Sequence, residues 1–141
     1  MKKETIEKIL NFLKEKEGKG LPRNWNIVEK LENHPDGVQY RHEGDLVLRY
    51  SNITKLPNDL YVKGGLFLFN SKQITKLPDK LHVGGGLDIR GCNQITELPN
   101  NLHVGGDLYI KGTPLSKKYS HEEIREMITS KGGTLIGRLS K

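Results

Sequence analysis

A short phrase recurs three times in the middle of this chain and constrains the fold more than any other feature. The copies, each Ile-Thr-(Lys or Glu)-Leu-Pro, begin at Ile53, Ile74 and Ile95, so that they lie 21 residues apart. Each copy is followed at fixed offsets by a Leu, a Val, a Gly-containing turn and a Leu-x-(Leu or Ile) pair. A period of this length is typical of solenoids, in which stacked neighbours bury apolar residues that one unit cannot bury alone. The sequence therefore predicts a repeat architecture.

The coils of this solenoid begin at regular apolar positions. Leu46, Leu66, Leu87 and Leu108 each open a coil, which predicts about four coils of 20 or 21 residues. A coil of this length leaves little room for a helix. Leu66 follows Val62 by four positions, with glycines between them, which indicates two short strands joined at a Gly corner. The predicted fold is mainly β, a short β-solenoid.

Amphipathic segments flank the repeats. Residues 1–17 carry Ile and Leu at helical spacing, and residues 26–33 have the pattern of a second, short helix. Ser120 with Glu123 is a capping-box pair that opens a third helix, and residues 134–139 are predicted to form a final strand. One domain is expected, with a helical N-terminal cap at 1–37, the repeat solenoid at 38–115, and a C-terminal cap of helix plus strand at 116–141.

Composition and charge narrow the classes of function. No apolar run is long enough for a membrane span, and the charged start at Met1 lacks the features of a signal peptide. A single cysteine, Cys92, fits a reducing compartment, so we expect a cytoplasmic protein. The net charge of +6 lies at the two ends of the chain, whereas residues 32–115 are neutral. A solenoid that bound nucleic acid along its repeats would carry its positive charge there.

The repeat pattern Leu-Pro-x-x-Leu-x-Val-x-Gly-x-Leu-x-(Leu or Ile) resembles the short leucine-rich-repeat-like proteins of bacteriophages and some bacteria. The likeness covers about half of the chain, and Pro114 to Arg125 is similar to the ending of those phage proteins. It implies a cytoplasmic accessory protein, in the host cytoplasm if phage-encoded, that engages a host factor such as a defence component. This chain departs from leucine-rich repeats where Asn is usual, since that position holds Ser51, Ser71, Cys92 and Thr113. We expect a buried column of hydroxyls and a thiol there.

Alternation along the strands predicts a binding surface. With Leu66 facing inward, Phe67 and Phe69 face outward, and Arg49 and Arg90 flank Phe69 from the neighbouring coils. Aromatic rings beside arginine are typical of interaction anchors. The predicted protein-binding residues are Phe67, Phe69, Arg49, Arg90, Tyr109, Lys111 and Tyr61. The alternative is that a terminal segment of the chain folds over the two phenylalanines.

Residues suited to catalysis or metal binding are sparse. His82 and His103 fall one coil apart in an outward column and should stack about 4.8 Å apart. Zinc requires three or four ligands, and the pattern places no third beside them. Cys92 belongs to the buried polar column, and no Ser-His-Asp, paired-carboxylate or Cys-x-x-Cys arrangement has a suitable spacing. We expect a non-catalytic protein-interaction module with no metal and no cofactor.

Two other classes of function stay open. The first is a nucleic-acid-binding protein that uses its basic ends, and the second is a structural component of a virion. The candidate residues for such binding are Lys2, Lys3, Lys8, Lys14, Lys16 and Lys19 at one end, and Lys117, Lys118, Arg125, Lys131, Arg138 and Lys141 at the other. Steep salt dependence of DNA or RNA retention would favour the first class, because phosphate contacts are screened by salt. Self-association or copurification with capsids would favour the second.

Overall fold

Each coil contains two short strands separated by a Gly corner. The computed structural model describes residues 25–141. The first strands of successive coils are β1 (Tyr40–His42), β3 (Leu60–Val62), β5 (His82–Val83), β7 (His103–Val104) and β9 (Thr134–Leu135). The second strands are β2 (Leu46–Val47), β4 (Leu66–Phe67), β6 (Leu87–Asp88), β8 (Leu108–Tyr109) and β10 (Leu139–Ser140). The helices are α1 (Trp25–Glu32), α2 (Pro114–Lys118) and α3 (His121–Ser130).

The strands form two parallel five-stranded sheets. Sheet 1 has the order β1-β3-β5-β7-β9 and sheet 2 has the order β2-β4-β6-β8-β10. Equivalent residues of successive coils are direct neighbours, so Leu46, Leu66, Leu87, Leu108 and Leu139 form one column. All five side chains are buried. The prediction of a mainly β solenoid with helices toward its ends is confirmed.

The helices contribute apolar side chains to the same core. α1 lies where residues 26–33 predict a helix, and it buries Val28 and Leu31. α3 starts with the predicted capping box at Ser120 and buries Ile124 and Ile128. Among residues 25–141, every helix is too short or too polar to cross a membrane. The helix predicted at 1–17 lies outside the described residues.

The C-terminal segment forms a further coil. The prediction of one strand over 134–139 is wrong, because this stretch holds β9 in sheet 1 and β10 in sheet 2. Gly137 makes the corner between them, and its backbone N–H donates to the carbonyl of Gly106 at 3.0 Å. Both α2 and α3 therefore lie within a long connection between the fourth and fifth coils. The tail continues the ladder of both sheets.

A buried polar column replaces the asparagine ladder, as the sequence predicts. Ser51, Ser71, Cys92 and Thr113 are all buried. The Sγ of Cys92 donates to the carbonyl of Leu68 at 3.1 Å, and the Oγ of Ser71 donates to a backbone carbonyl of the preceding coil. The hydroxyl of Thr113 also donates to a backbone carbonyl, and the hydroxyl of Ser51 bonds that of Ser71. An apolar side chain could not satisfy these buried polar groups.

The chain also bends through left-handed backbone at two other positions in the coil. The first bend is at Tyr50, Asn70, Gly91 and Gly112, and the second is at Asp59, Lys80, Asn101 and Gly132. Gly, Asn and Asp tolerate positive φ, whereas a side chain such as Tyr or Lys adopts it at a cost. Tyr50 and Lys80 are therefore the unusual residues at these bends.

Candidate functional site

The outward side of sheet 2 is the surface on which most of the predicted binding residues lie. Val47, Phe67, Asp88 and Tyr109 occupy one column, with each residue directly opposite the next along the stack. The alternation of the strands turns these side chains away from the leucine columns of the core.

Phe67 is half-buried because its own coil and the preceding coil cover it. Its ring lies over Gly65, so close that a Cβ at position 65 would overlap two of its carbons. The guanidinium of Arg49 lies 5.2 Å from the ring centroid. Phe67 is thus less exposed than the alternation of the strand suggests, and its ring is held in a fixed place.

Phe69 is held in a similar way. The guanidinium of Arg90 lies 5.1 Å from its ring centroid, and the ring of Tyr50 meets it edge-on at 5.5 Å. Such cation–π and edge-to-face contacts each stabilise an arrangement by about 1 kcal/mol. Phe69 is also half-buried, so neither phenylalanine is fully exposed.

Two further side chains extend this apolar surface. Val47 is 44% exposed beside Phe67, and Tyr50 is 59% exposed beside Phe69. Neither is among the residues predicted from the sequence to bind a partner, and Tyr50 was missed because it lies just beyond the strand at a bend. Its position 20 residues before Asn70, a typical bend residue, is the signal that could have identified it.

Asp88 and Arg90 form an ion pair on the same face. The Nε of Arg90 donates to Oδ1 of Asp88 at 2.9 Å, and a terminal nitrogen of Arg90 donates to Oδ2 at 2.7 Å. These hydrogen bonds raise the pKa of Arg90. The same guanidinium lies 5.4 Å from the ring of Tyr109. Arg90 therefore connects Phe69, Asp88 and Tyr109 into one ordered group.

These side chains define an aromatic face, a name used below for this set alone. It consists of Val47, Arg49, Tyr50, Phe67, Phe69, Arg90, Tyr109 and Lys111. Both Arg49 and Lys111 are exposed, and neither has an ion-pair partner among the residues that the structure describes. The face thus combines exposed apolar atoms with two cations that are free to meet carboxylates.

Tyr61, the remaining predicted binding residue, lies on sheet 1 and belongs to a different surface. Its ring is stacked on that of His82, with centroids 4.3 Å apart and planes 4° apart. The guanidinium of Arg41 covers the other side of the ring at 4.3 Å. Arg41 was missed from the sequence, although Tyr40-Arg41-His42 matches Leu60-Tyr61-Val62 one coil later. The structure does not bring Tyr61 together with the aromatic face.

The two histidines stack as the sequence predicts, with ring centroids 4.5 Å apart and planes 11° apart. In parallel stacked rings the nitrogen lone pairs point side by side, so one ion cannot lie on the axes of both. Nδ1 of His103 instead lies 2.8 Å from Oγ1 of Thr134. Burial, then His103 and then Arg41 lower the pKa of His82. The arrangement favours a structural stack in which the imidazole of His82 is neutral.

The remaining candidate groups from residue 25 onward are not arranged for metal binding or for thiol chemistry. No group of three or more His, Cys, Asp or Glu side chains is arranged there to hold a metal ion. Burial raises the pKa of the Cys92 thiol to about 11, which keeps it protonated near neutral pH. In the C-terminal basic set, Arg125 and Lys131 donate to the carbonyls of Gly137 and Leu98. The lysines from Lys2 to Lys19 lie outside the described residues.

No family model, no curated protein and no solved structure matches this chain.

Proposed function

We propose that this protein is a non-catalytic interaction module that binds another protein through the aromatic face. The observation that carries the proposal is the contiguous group of apolar side chains on the outside of sheet 2, with arginines stacked on both phenylalanines. Tyr, Phe and Arg are the residues enriched in the energetic centres of protein interfaces. An outward sheet surface also offers a partner protein more contact than it offers a small molecule, since small molecules prefer concave sites.

The fixed positions of the side chains within the aromatic face support the same proposal. Arg49 and Arg90 hold the rings of Phe67 and Phe69 in place before any partner arrives. A partner then loses less free energy in ordering these side chains when it binds. The buried Asp88 carboxylate is paired with Arg90, so binding leaves no uncompensated charge at the centre of the face.

The identity of the partner is a further part of the proposal. The resemblance of the repeats to short phage proteins favours an accessory protein in the host cytoplasm, with a host protein, such as a defence factor, as its target. This step rests on the resemblance alone, whereas the binding surface rests on geometry.

The test is affinity capture from host lysate with the wild-type protein and with the double variant Phe67→Ser/Phe69→Ser. Ile136→Ser is the matched control, because Ile136 is apolar and 69% exposed but lies in the fifth coil, away from the face. Both rings are half-buried, so each substitution should lower the free energy of unfolding by about 1 kcal/mol. The fold should persist, as circular dichroism would show.

The proposal expects one protein to be retained at near-equal stoichiometry after nuclease treatment, by the wild type and the control but not by the double variant. Loss of all retained material upon nuclease treatment would instead indicate nucleic-acid binding by the basic ends. Self-association with capsid proteins would indicate a virion component. Unfolding of the double variant would show that the rings belong to the core, and would refute the aromatic face as a binding surface.

A further inference from the structure

Tyr50 has a backbone conformation that its residue type disfavours. Its φ is +55°, in the left-handed region, and the equivalent positions of the next three coils hold Asn70, Gly91 and Gly112. Those residues adopt this conformation readily, whereas an aromatic residue does so at a cost in stability. Unfavourable backbone geometry of this kind is concentrated at functional sites.

Packing does not account for the tyrosine at this bend. Tyr50 is 59% exposed, and among residues 25–141 its ring makes one aromatic contact, edge-to-face with the ring of Phe69. An asparagine at this position, as in the next coil, would meet the demands of the backbone better. The contact with Phe69 stabilises the coil by about 1 kcal/mol, which is no more than the left-handed backbone costs, so net stability does not account for the large exposed ring.

The border of the aromatic face beside Tyr50 is cationic. Arg49, Arg90 and Lys111 form one column there, and Lys72 lies just beyond the bend, where its Nζ donates to the carbonyl of Gly91. Within the described residues, the one ion pair in this column is that of Arg90 with Asp88.

The opposite border of the face is acidic, and its carboxylates are held by backbone N–H groups. Oδ1 of Asp45 accepts from the N–H of Gly65, and Oδ1 of Asp107 accepts from the N–H of Arg138. These hydrogen bonds fix the two carboxylates in place but leave their negative charge, so an acidic segment is attracted to the cationic border beside Tyr50 and repelled from the opposite border.

We propose that Tyr50 is the anchor of the aromatic face and that the partner contributes an acidic segment of polypeptide with an apolar side chain. This inference rests on the proposed function of the face and adds the chemistry of its partner. The apolar side chain packs on Tyr50 and Val47, and the carboxylates meet Arg49 and Lys111. The spacing of the coils, about 4.8 Å each, separates those two cations by roughly 14 Å, a distance that a short segment spans.

The experiment is selection from a displayed library of random 16-residue peptides, followed by sequencing of the bound pool. The baits are the wild type, Tyr50→Asn, Phe67→Ser/Phe69→Ser and the control Ile136→Asn. The wild type and the control should enrich peptides that contain Asp or Glu together with an aromatic or aliphatic residue. Tyr50→Asn should bind these peptides at least tenfold more weakly, yet should melt at a higher temperature, because Asn relieves the backbone strain. Binding should weaken as salt is raised.

The outcomes separate the inference from the proposed function. Enriched peptides that are not acidic, or that bind Tyr50→Asn as well as the wild type, would overturn the inference about Tyr50. They would leave the aromatic face standing as the proposed binding surface. Enriched peptides that bind equally well to the phenylalanine double variant would refute the aromatic face as the binding surface. A lower melting temperature for Tyr50→Asn would show that the ring is structural, and the absence of any enriched peptide would exclude a short linear partner segment.

Discussion

The carboxylate of Asp88 faces outward in the strand pattern and yet is 2% exposed, because Arg90, two residues further along, folds over it. The pair has two parallel hydrogen bonds between side chains, and Oδ1 also accepts from the backbone N–H of Arg90 at 3.1 Å. A charged side chain at the centre of the aromatic face is thus neutralised within its own coil. This pairing lets apolar rings surround a carboxylate without leaving it unsatisfied.

Replacement of Arg90 should destabilise the protein, because the buried carboxylate of Asp88 would lose its ion-pair partner. Arg90→Ala is expected to lower the free energy of unfolding by about 2 kcal/mol, less than for a fully buried pair because water reaches Arg90. Denaturant unfolding would measure the loss. The double variant Asp88→Leu/Arg90→Met should recover most of it, since no unpaired charge remains. A double variant no more stable than Arg90→Ala would contradict this account.

The histidine stack should make stability depend on pH. The lowered pKa of His82 means that the unfolded chain takes up this proton at a higher pH than the folded chain. The stability that the neutral His82 contributes is therefore fully present above the unfolded pKa, near 6.5, and is lost as the pH falls through the lower folded-state pKa. Melting temperatures between pH 8 and 5 would record the decline.

The substitution His82→Phe should remove part of that pH dependence and keep the stack on Tyr61. His121→Gln is the matched control, because His121 is exposed at the start of α3. If both variants kept the full wild-type dependence on pH, the coupling assigned to His82 would be wrong.

A change at the second bend should stabilise the protein. Lys80 has φ +62° and is exposed, while the next coil places Asn101 at the same bend. Lys80→Asn should raise the free energy of unfolding by about 1 kcal/mol, because Asn adopts left-handed backbone with less strain. Lys76→Asn, an exposed substitution of the same kind outside the bend, should change stability by less than about 0.5 kcal/mol. Equal effects of the two would show that the backbone conformation is not the cause.

The thiol of Cys92 should be unreactive in the folded state. Its pKa of about 11 and its burial leave little thiolate at pH 8. A coloured disulfide reagent should therefore label it slowly in buffer and rapidly in guanidinium chloride. Rapid stoichiometric labelling of the folded protein would contradict the burial of the polar column.

The outward placement of Phe67 and Phe69 followed from alternation along the strands, but their exposure did not. Alternation fixes the side of the sheet to which a side chain points, whereas exposure depends on what neighbours across the coils do. Arg49 and Arg90 fold onto the two rings, and such contacts join residues about 20 positions apart. Asp88, another outward residue, is buried because Arg90 of its own coil folds over it, and alternation does not predict that contact either.

The amino-acid sequence by itself determined the solenoid, because only one register of stacked coils buries all of the repeated Leu, Ile and Val side chains. It also determined the buried hydroxyl and thiol column and the His82–His103 stack, since identical coils place equivalent residues one above another. The tertiary structure alone decided that the C-terminal segment adds a coil to both sheets, that Arg41 completes the stack on Tyr61, and that Tyr50 protrudes from a strained bend. Those features depend on contacts between coils and on bend geometry, which the period of a repeat does not encode.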